Sequence, residues 1–149
     1  MADKPGPKPN MRDLMAAAAY VLLHWGWLEE EVRARIQAVE PDRDISDGSS
    51  LWVHWREVEP KVCLRVRSGI QPLVDVRNCL AHGLCGAKAD PRSDDEPHVI
   101  CRTAIGERAI KMSELESVAD ALHLARNDVR DTPVDALVGK LVGKTVPQK

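Results

Sequence analysis

A chain of 149 residues with a formal net charge of −2 and 44% apolar residues is one domain's worth of sequence, with material for a single core. The absence of a basic excess argues against a protein that coats nucleic acid by bulk charge, though not against a local basic cleft. Four Trp, one Tyr and no Phe are too few for a broad base-stacking platform.

No apolar run approaches the roughly 20 residues that a membrane span needs. The start, "MADKPGPKPN", lacks the apolar stretch of a signal peptide. The expectation is a cytoplasmic protein with no membrane partner, in which Cys63, Cys79, Cys85 and Cys101 are free thiols. Residues 1–10, with their prolines and lysines, are predicted to be a disordered arm.

From Met11 the pattern changes. Leu14, Ala18, Val21, Trp25, Leu28, Val32, Ile36 and Val39 recur in steps of three and four, which predicts a helix of about eight turns that Pro41 closes. Gly26 sits inside it at a cost of about 1 kcal/mol against Ala, and marks a bend or a close contact. "PDRDISDGSS" is a turn-rich linker. Ser50 is placed to cap one or two short helices over residues 51–67, and Pro60 either ends the first or kinks a longer one. "IQPLVDVRNCLAHGL" reads as the next helix, with Pro72 in its first turn, Leu73, Val76 and Leu80 facing inward, and Gly83 as its stop.

"CGAKADPRSDDEP" then reads as a polar loop. "HVICRT" and "RAIKM" are predicted to pair as a hairpin turning at Gly106. "SELESVADALHLARNDVR" is an amphipathic helix whose Ser113 and Glu116 have capping-box spacing. "VDALVGKLVGK" is expected to form a short helix within a tail over residues 132–149. The fold class is therefore mostly α: a small bundle of four to five helices with a short β-hairpin before the last main helix, in one domain over residues 11–131. The first helix is too long and apolar for its neighbours to cover, so a homodimer is expected.

Within "RNCLAH", Asn78 and His82 are four residues apart and share a helix face. Arg77 and His82 are five apart, about 140° around an ideal helix. At a helix end the imidazole can swing off the axis, so the three side chains can converge on one cleft.

Arg-Asn-x-x-x-His before a glycine, near the end of a bundle helix and followed by a hairpin and another helix, resembles the HEPN superfamily (higher eukaryotes and prokaryotes nucleotide-binding). The motif is matched by Arg77, Asn78 and His82, and the helix order fits from about Met11 to Arg130. The resemblance implies a dimer with its motif helices facing each other, and a metal-independent endoribonuclease, acting as a toxin or antiviral effector. RNA is the implied substrate, and an antitoxin or regulatory protein a further partner. His82 would move protons, Arg77 would grip the phosphate, and Asn78 would orient His82 or the phosphate. The chain departs from one toxin subgroup, which carries Arg-x4-His-x-Tyr: Leu84 stands where that tyrosine would be, so control by tyrosine modification does not carry over. The implied alternative is a catalytically silent dimer that binds a nucleotide, RNA or a protein.

Plainer readings of the same residues exist. Arg77 could pair with Asp75, and His82 could cap a backbone carbonyl. Cys79, His82 and Cys85, joined by Cys63, His98 or Cys101, form a loose zinc pattern without paired CxxC knuckles, and no cofactor or metal is expected. Trp25, Trp52 and Trp55 are read as packing residues. Arg65 and Arg67, just upstream, are weaker candidates for guiding an RNA backbone towards the motif.

Overall fold

Asn10 starts the first helix. Its side chain accepts from the Asp13 backbone N–H at 3.1 Å while the Asp13 carboxylate accepts from the Asn10 N–H at 2.8 Å, so two otherwise unpaired donors are satisfied reciprocally. The computed structural model describes residues 5–134. In chain order these form α1 (Met11–Val39), α2 (Leu51–Val58), α3 (Pro60–Asn78), a π-turn (Cys79–Gly83), β1 (Leu84–Lys88), β2 (His98–Thr103), β3 (Gly106–Lys111) and α4 (Met112–Asp131). The mostly α bundle with a small antiparallel sheet before the last helix is the expected class.

The core is the stripe that the spacing of α1 marks out. Leu14, Val21, Leu28, Val32 and Ile36 are fully enclosed, and they meet Leu115, Val118, Leu122 and Val129 of α4. Ser50 caps α2 through a bond from the Trp52 N–H, as expected. Trp52 packs at a tilt between Trp25 and Trp55, with ring centroids 5.9 and 5.8 Å away, which ties α1 to α2. The base of the bundle is closed by a buried ion pair. Arg35 of α1 donates to both carboxylate oxygens of Glu59, at 2.6 and 2.7 Å, and to the Val129 carbonyl at 3.1 Å. One side chain thus joins α1, the α2–α3 junction and the end of α4.

Several local expectations change. α3 runs unbroken from Pro60, with Pro72 inside it rather than in a first turn. Pro72 leaves the Ser68 carbonyl without its helical donor, but both residues are on the exposed side, where water can serve it. The stretch read as a polar loop after Gly83 begins with a strand: β1 pairs antiparallel with β2 and makes the hairpin a three-stranded sheet in the order β1-β2-β3. Its small residues carry no alternating apolar signal, and β2 supplies the pairing. The capping box at Ser113 does not form. α4 starts one residue earlier, at Met112, and the Ser113 N–H is satisfied by the Glu96 carboxylate at 2.8 Å.

The hairpin turns at Gly106 as expected, with φ +130°, a conformation that side-chain-bearing residues rarely adopt. Gly26 makes no close contact, since a methyl group there would meet nothing within 4 Å. Residues 5–10 lack helix or strand, and Lys8 reaches the Ser93 carbonyl at 3.3 Å and the Asp94 carboxylate at 3.5 Å. The rest of the expected arm, residues 1–4, and the terminal helix expected from 135 onward lie outside the described residues. Among the described residues no helix is long and apolar enough to cross a membrane.

Candidate active site

Arg77 lies in the last turn of α3, two residues before the backbone loosens into the π-turn. In a π-turn the hydrogen bonds close over five residues instead of four. A wider turn reduces the separation of about 140° that an α-helix imposes on positions five apart. Gly83 ends the turn for a packing reason. A side chain there would overlap the carbonyl oxygen of Arg102 on β2, so only glycine lets the turn seat against the sheet. The chain enters β1 directly at Leu84, through a bulge between Leu84 and Gly86.

The Arg77 guanidinium sits over the indole of Trp25, 5.3 Å from the ring centroid. Its Nη1 donates to the Asn78 side-chain oxygen at 2.9 Å. Its Nε is buried with no acceptor among the described residues. Among the described residues no carboxylate pairs with Arg77, Asp75 included. The arginine is therefore held in place without being neutralised.

His82 is exposed and, among the described residues, makes no hydrogen bond; no backbone carbonyl is capped by it. Asn78, also exposed, bonds Arg77 and not His82. The motif thus comprises a bonded pair, Arg77 with Asn78, and a free imidazole one π-turn further on. The motif therefore supplies a fixed cation with donor capacity to spare and, five positions on, an exposed imidazole without a hydrogen bond among the described residues.

The two flanking arginines differ. Arg65 donates from one nitrogen to both Asp128 oxygens at 3.3 Å and to the Thr132 hydroxyl at 2.7 Å, so its charge is directed at the end of α4. Arg67 is exposed, with no salt bridge among the described residues, and lines a groove together with Arg56. Trp25 and Arg56 were not singled out for these roles from sequence; their parts depend on which helices meet, and spacing along one helix carries no such signal.

The thiols lie close to this site. Cys85 sits in the β1 bulge and donates to the Ile100 carbonyl at 3.5 Å, and Cys101 is buried opposite Leu84. Burial, with the Cys79 and Cys85 sulfurs nearby, pushes the Cys101 thiol up. Among the described residues no three His, Cys, Asp or Glu side chains form a set able to hold a metal.

A second polar cluster occupies the opposite flank of α1. The His24 ring is edge-on to Trp27 at 5.1 Å and to His123 of α4 at 5.6 Å. Burial, then the charges of His123 and Arg126, hold His24 below its ordinary value, against the pull of Asp120. Comparison with models of known protein families, with curated proteins and with solved structures gave no match to this chain.

Proposed function

We propose that the protein is a HEPN-like, metal-independent endoribonuclease that works as a homodimer, as a toxin or antiviral effector. The observation that carries this reading is Arg77: a guanidinium fixed by Trp25 and Asn78 and unpaired with any carboxylate among the described residues, five positions before an exposed His82 whose imidazole makes no hydrogen bond among those residues. In the proposed reaction the RNA 2′-hydroxyl attacks the adjacent phosphorus. The O2′–P bond forms and the P–O5′ bond breaks, leaving a 2′,3′-cyclic phosphate and a 5′-hydroxyl. His82 of one or both subunits takes the proton from O2′ and returns one to O5′. Arg77 holds the phosphate oxygens on which charge grows. DNA lacks the nucleophile and is spared.

The dimer in this reading is built on α1. From Leu14 to Leu28 the helix has no Asp, Glu, Lys or Arg, and Met15, Leu22, Leu23 and Trp27 remain exposed on it. Trp25 belongs to the same stretch and carries Arg77, so two copies joined along α1 would bring their motif turns near a common seam.

The test is cleavage of a single-stranded RNA by the purified wild type, with a chelator present, beside Arg77→Ala and His82→Ala. Loss of cleavage in both variants, with cyclic phosphate ends in the wild type, supports the proposal. Equal cleavage by His82→Ala refutes it. A second reading, a silent binding dimer, is favoured by one observation: Asn78 is spent on Arg77, and nothing among the described residues fixes the orientation of the His82 ring. It predicts no cleavage by the wild type at any pH but a ligand-dependent rise in Tm.

A further inference from the structure

α2 and α3 leave a groove between them of about 390 Å³, lined by Arg56, Cys63, Leu64, Arg67, Ser68 and Gln71. Leu64, Ser68 and Gln71 follow the three- and four-residue steps of one α3 face, with Arg67 beside them; Arg56 leans in from the end of α2. Among the described residues no carboxylate lines the groove. Among the described residues neither Arg56 nor Arg67 forms a salt bridge. The side chains of Ser68 and Gln71 also make no hydrogen bond among the described residues. The floor adds no negative charge, because burial pushes the Cys63 thiol up and keeps it protonated, even with Arg67 and Arg56 near enough to pull the other way.

Two permanent cations and two free neutral hydrogen-bonding groups therefore face one space without a counter-charge. A phosphate monoester carries nearly two negative charges near neutral pH and several acceptor oxygens, which matches two guanidinium forks. The volume is within the range of small-molecule sites, roughly 300–1,000 Å³, and exceeds what a bare phosphate needs. Leu64, well exposed at the rim, offers an apolar surface for whatever the phosphate is attached to.

We propose that the α2–α3 groove binds a phosphate monoester carried on a small organic body, with Arg56 and Arg67 clamping the phosphate, Ser68 and Gln71 completing its hydrogen bonds, and Leu64 packing on the attached group. This does not depend on RNA cleavage at His82. The experiment is titration calorimetry on the full chain with inorganic phosphate, ribose 5-phosphate, adenosine 5′-monophosphate and unphosphorylated adenosine. The expected result is saturable binding of at least one of the two phosphate esters, weaker binding of inorganic phosphate and none of adenosine. Which ester binds more tightly tells whether the body is the sugar or the whole nucleoside. Arg56→Ala and Arg67→Ala should each lower the affinity about tenfold or more, since a hydrogen bond to a charged group contributes roughly that factor. Gln71→Ala should lower it less. Failure of both esters to bind, adenosine binding as well as its phosphate, or unchanged affinity in the Arg56→Ala, Arg67→Ala double variant would each overturn the proposal. Both arginines are exposed, and matching circular dichroism spectra establish that the variants are folded.

Discussion

The guanidinium of Arg77 rests on the indole of Trp25, 5.3 Å from the ring centroid, and the Trp25 Nε1 in turn donates to Glu29 at 2.8 Å. Arg77 is thereby positioned from below by a residue of another helix. A flexible arginine that must grip a phosphate pays rotamer entropy on binding, and a fixed platform removes part of that cost in advance. The Trp25 ring is at once a core residue of α1 and the seat of the candidate phosphate clamp.

Replacing that seat should separate the two roles. Trp25→Phe keeps an aromatic face and is expected to lower RNA cleavage by less than about tenfold, whereas Trp25→Leu, which removes the cation–π contact, lowers it by about tenfold or more. Both lose packing, so cleavage is compared at matched folded fraction, with Tm measured alongside. Wild-type cleavage by folded Trp25→Leu would show that the platform has no bearing on the chemistry.

The long helices were legible because their signal is local. Leu14 to Ile36 repeats at helical steps, and the same residues are enclosed in the structure. The motif residues Arg77, Asn78 and His82 were legible too, but their relationship was not. Spacing five apart reads as divergence on an α-helix, and nothing in "RNCLAH" announces a π-turn. That turn ends at Gly83, where a side chain would strike the Arg102 carbonyl, some twenty positions later. β1 was missed for a similar reason: Cys85, Gly86 and Ala87 are too small to show alternation, and pairing with β2 makes them a strand. Pro72 misled because proline normally opens a helix, whereas an exposed interior position tolerates it.

Gly83→Ala tests that account of the turn. An added methyl would strike the backbone carbonyl of Arg102, which cannot swing away as a side-chain tip could. The expected cost is about 1–3 kcal/mol, as for overpacked sites, read by urea denaturation. Cleavage by the folded fraction should fall as well, because the turn carries His82. Gly26→Ala is the control: the space is open, and it should stabilise the helix by about 1 kcal/mol.

The buried pair of Arg35 and Glu59 predicts an asymmetry between single and double substitutions. Glu59 accepts two bonds from Arg35 and one from the Trp55 indole at 3.2 Å. Burial works to raise its carboxyl, but the bonds from Arg35 and Trp55 outweigh it and hold the group below the usual carboxylate range. Glu59→Ala leaves a guanidinium buried without its partner and should cost about 3–5 kcal/mol. The double variant Arg35→Met, Glu59→Leu removes both charges and should recover much of that loss. A double variant less stable than Glu59→Ala alone would show that the Arg35 bonds to the α4 carbonyls outweigh the pair itself.

His24 predicts how stability changes with pH. Its Nδ1 is buried without a partner among the described residues, and burial, His123 and Arg126 hold it below the ordinary 6.5. The unfolded chain therefore takes up this proton at a higher pH than the folded one. Above 6.5 both states are neutral at His24 and it adds no pH dependence. As pH falls from there towards the lower folded value, the unfolded state binds more protons and stability declines. The carboxylates that are held low, such as Asp47 and Glu59, start from 3.8 and 4.5 and act in a more acidic window, so the two contributions separate. Urea midpoints for the wild type should fall between about pH 7.5 and about pH 5.5, and His24→Asn should flatten that slope. His123→Gln should flatten it in part, by removing the His123 contribution while leaving the burial of His24 in place. An unchanged slope in His24→Asn would assign the acid sensitivity of the fold to another group.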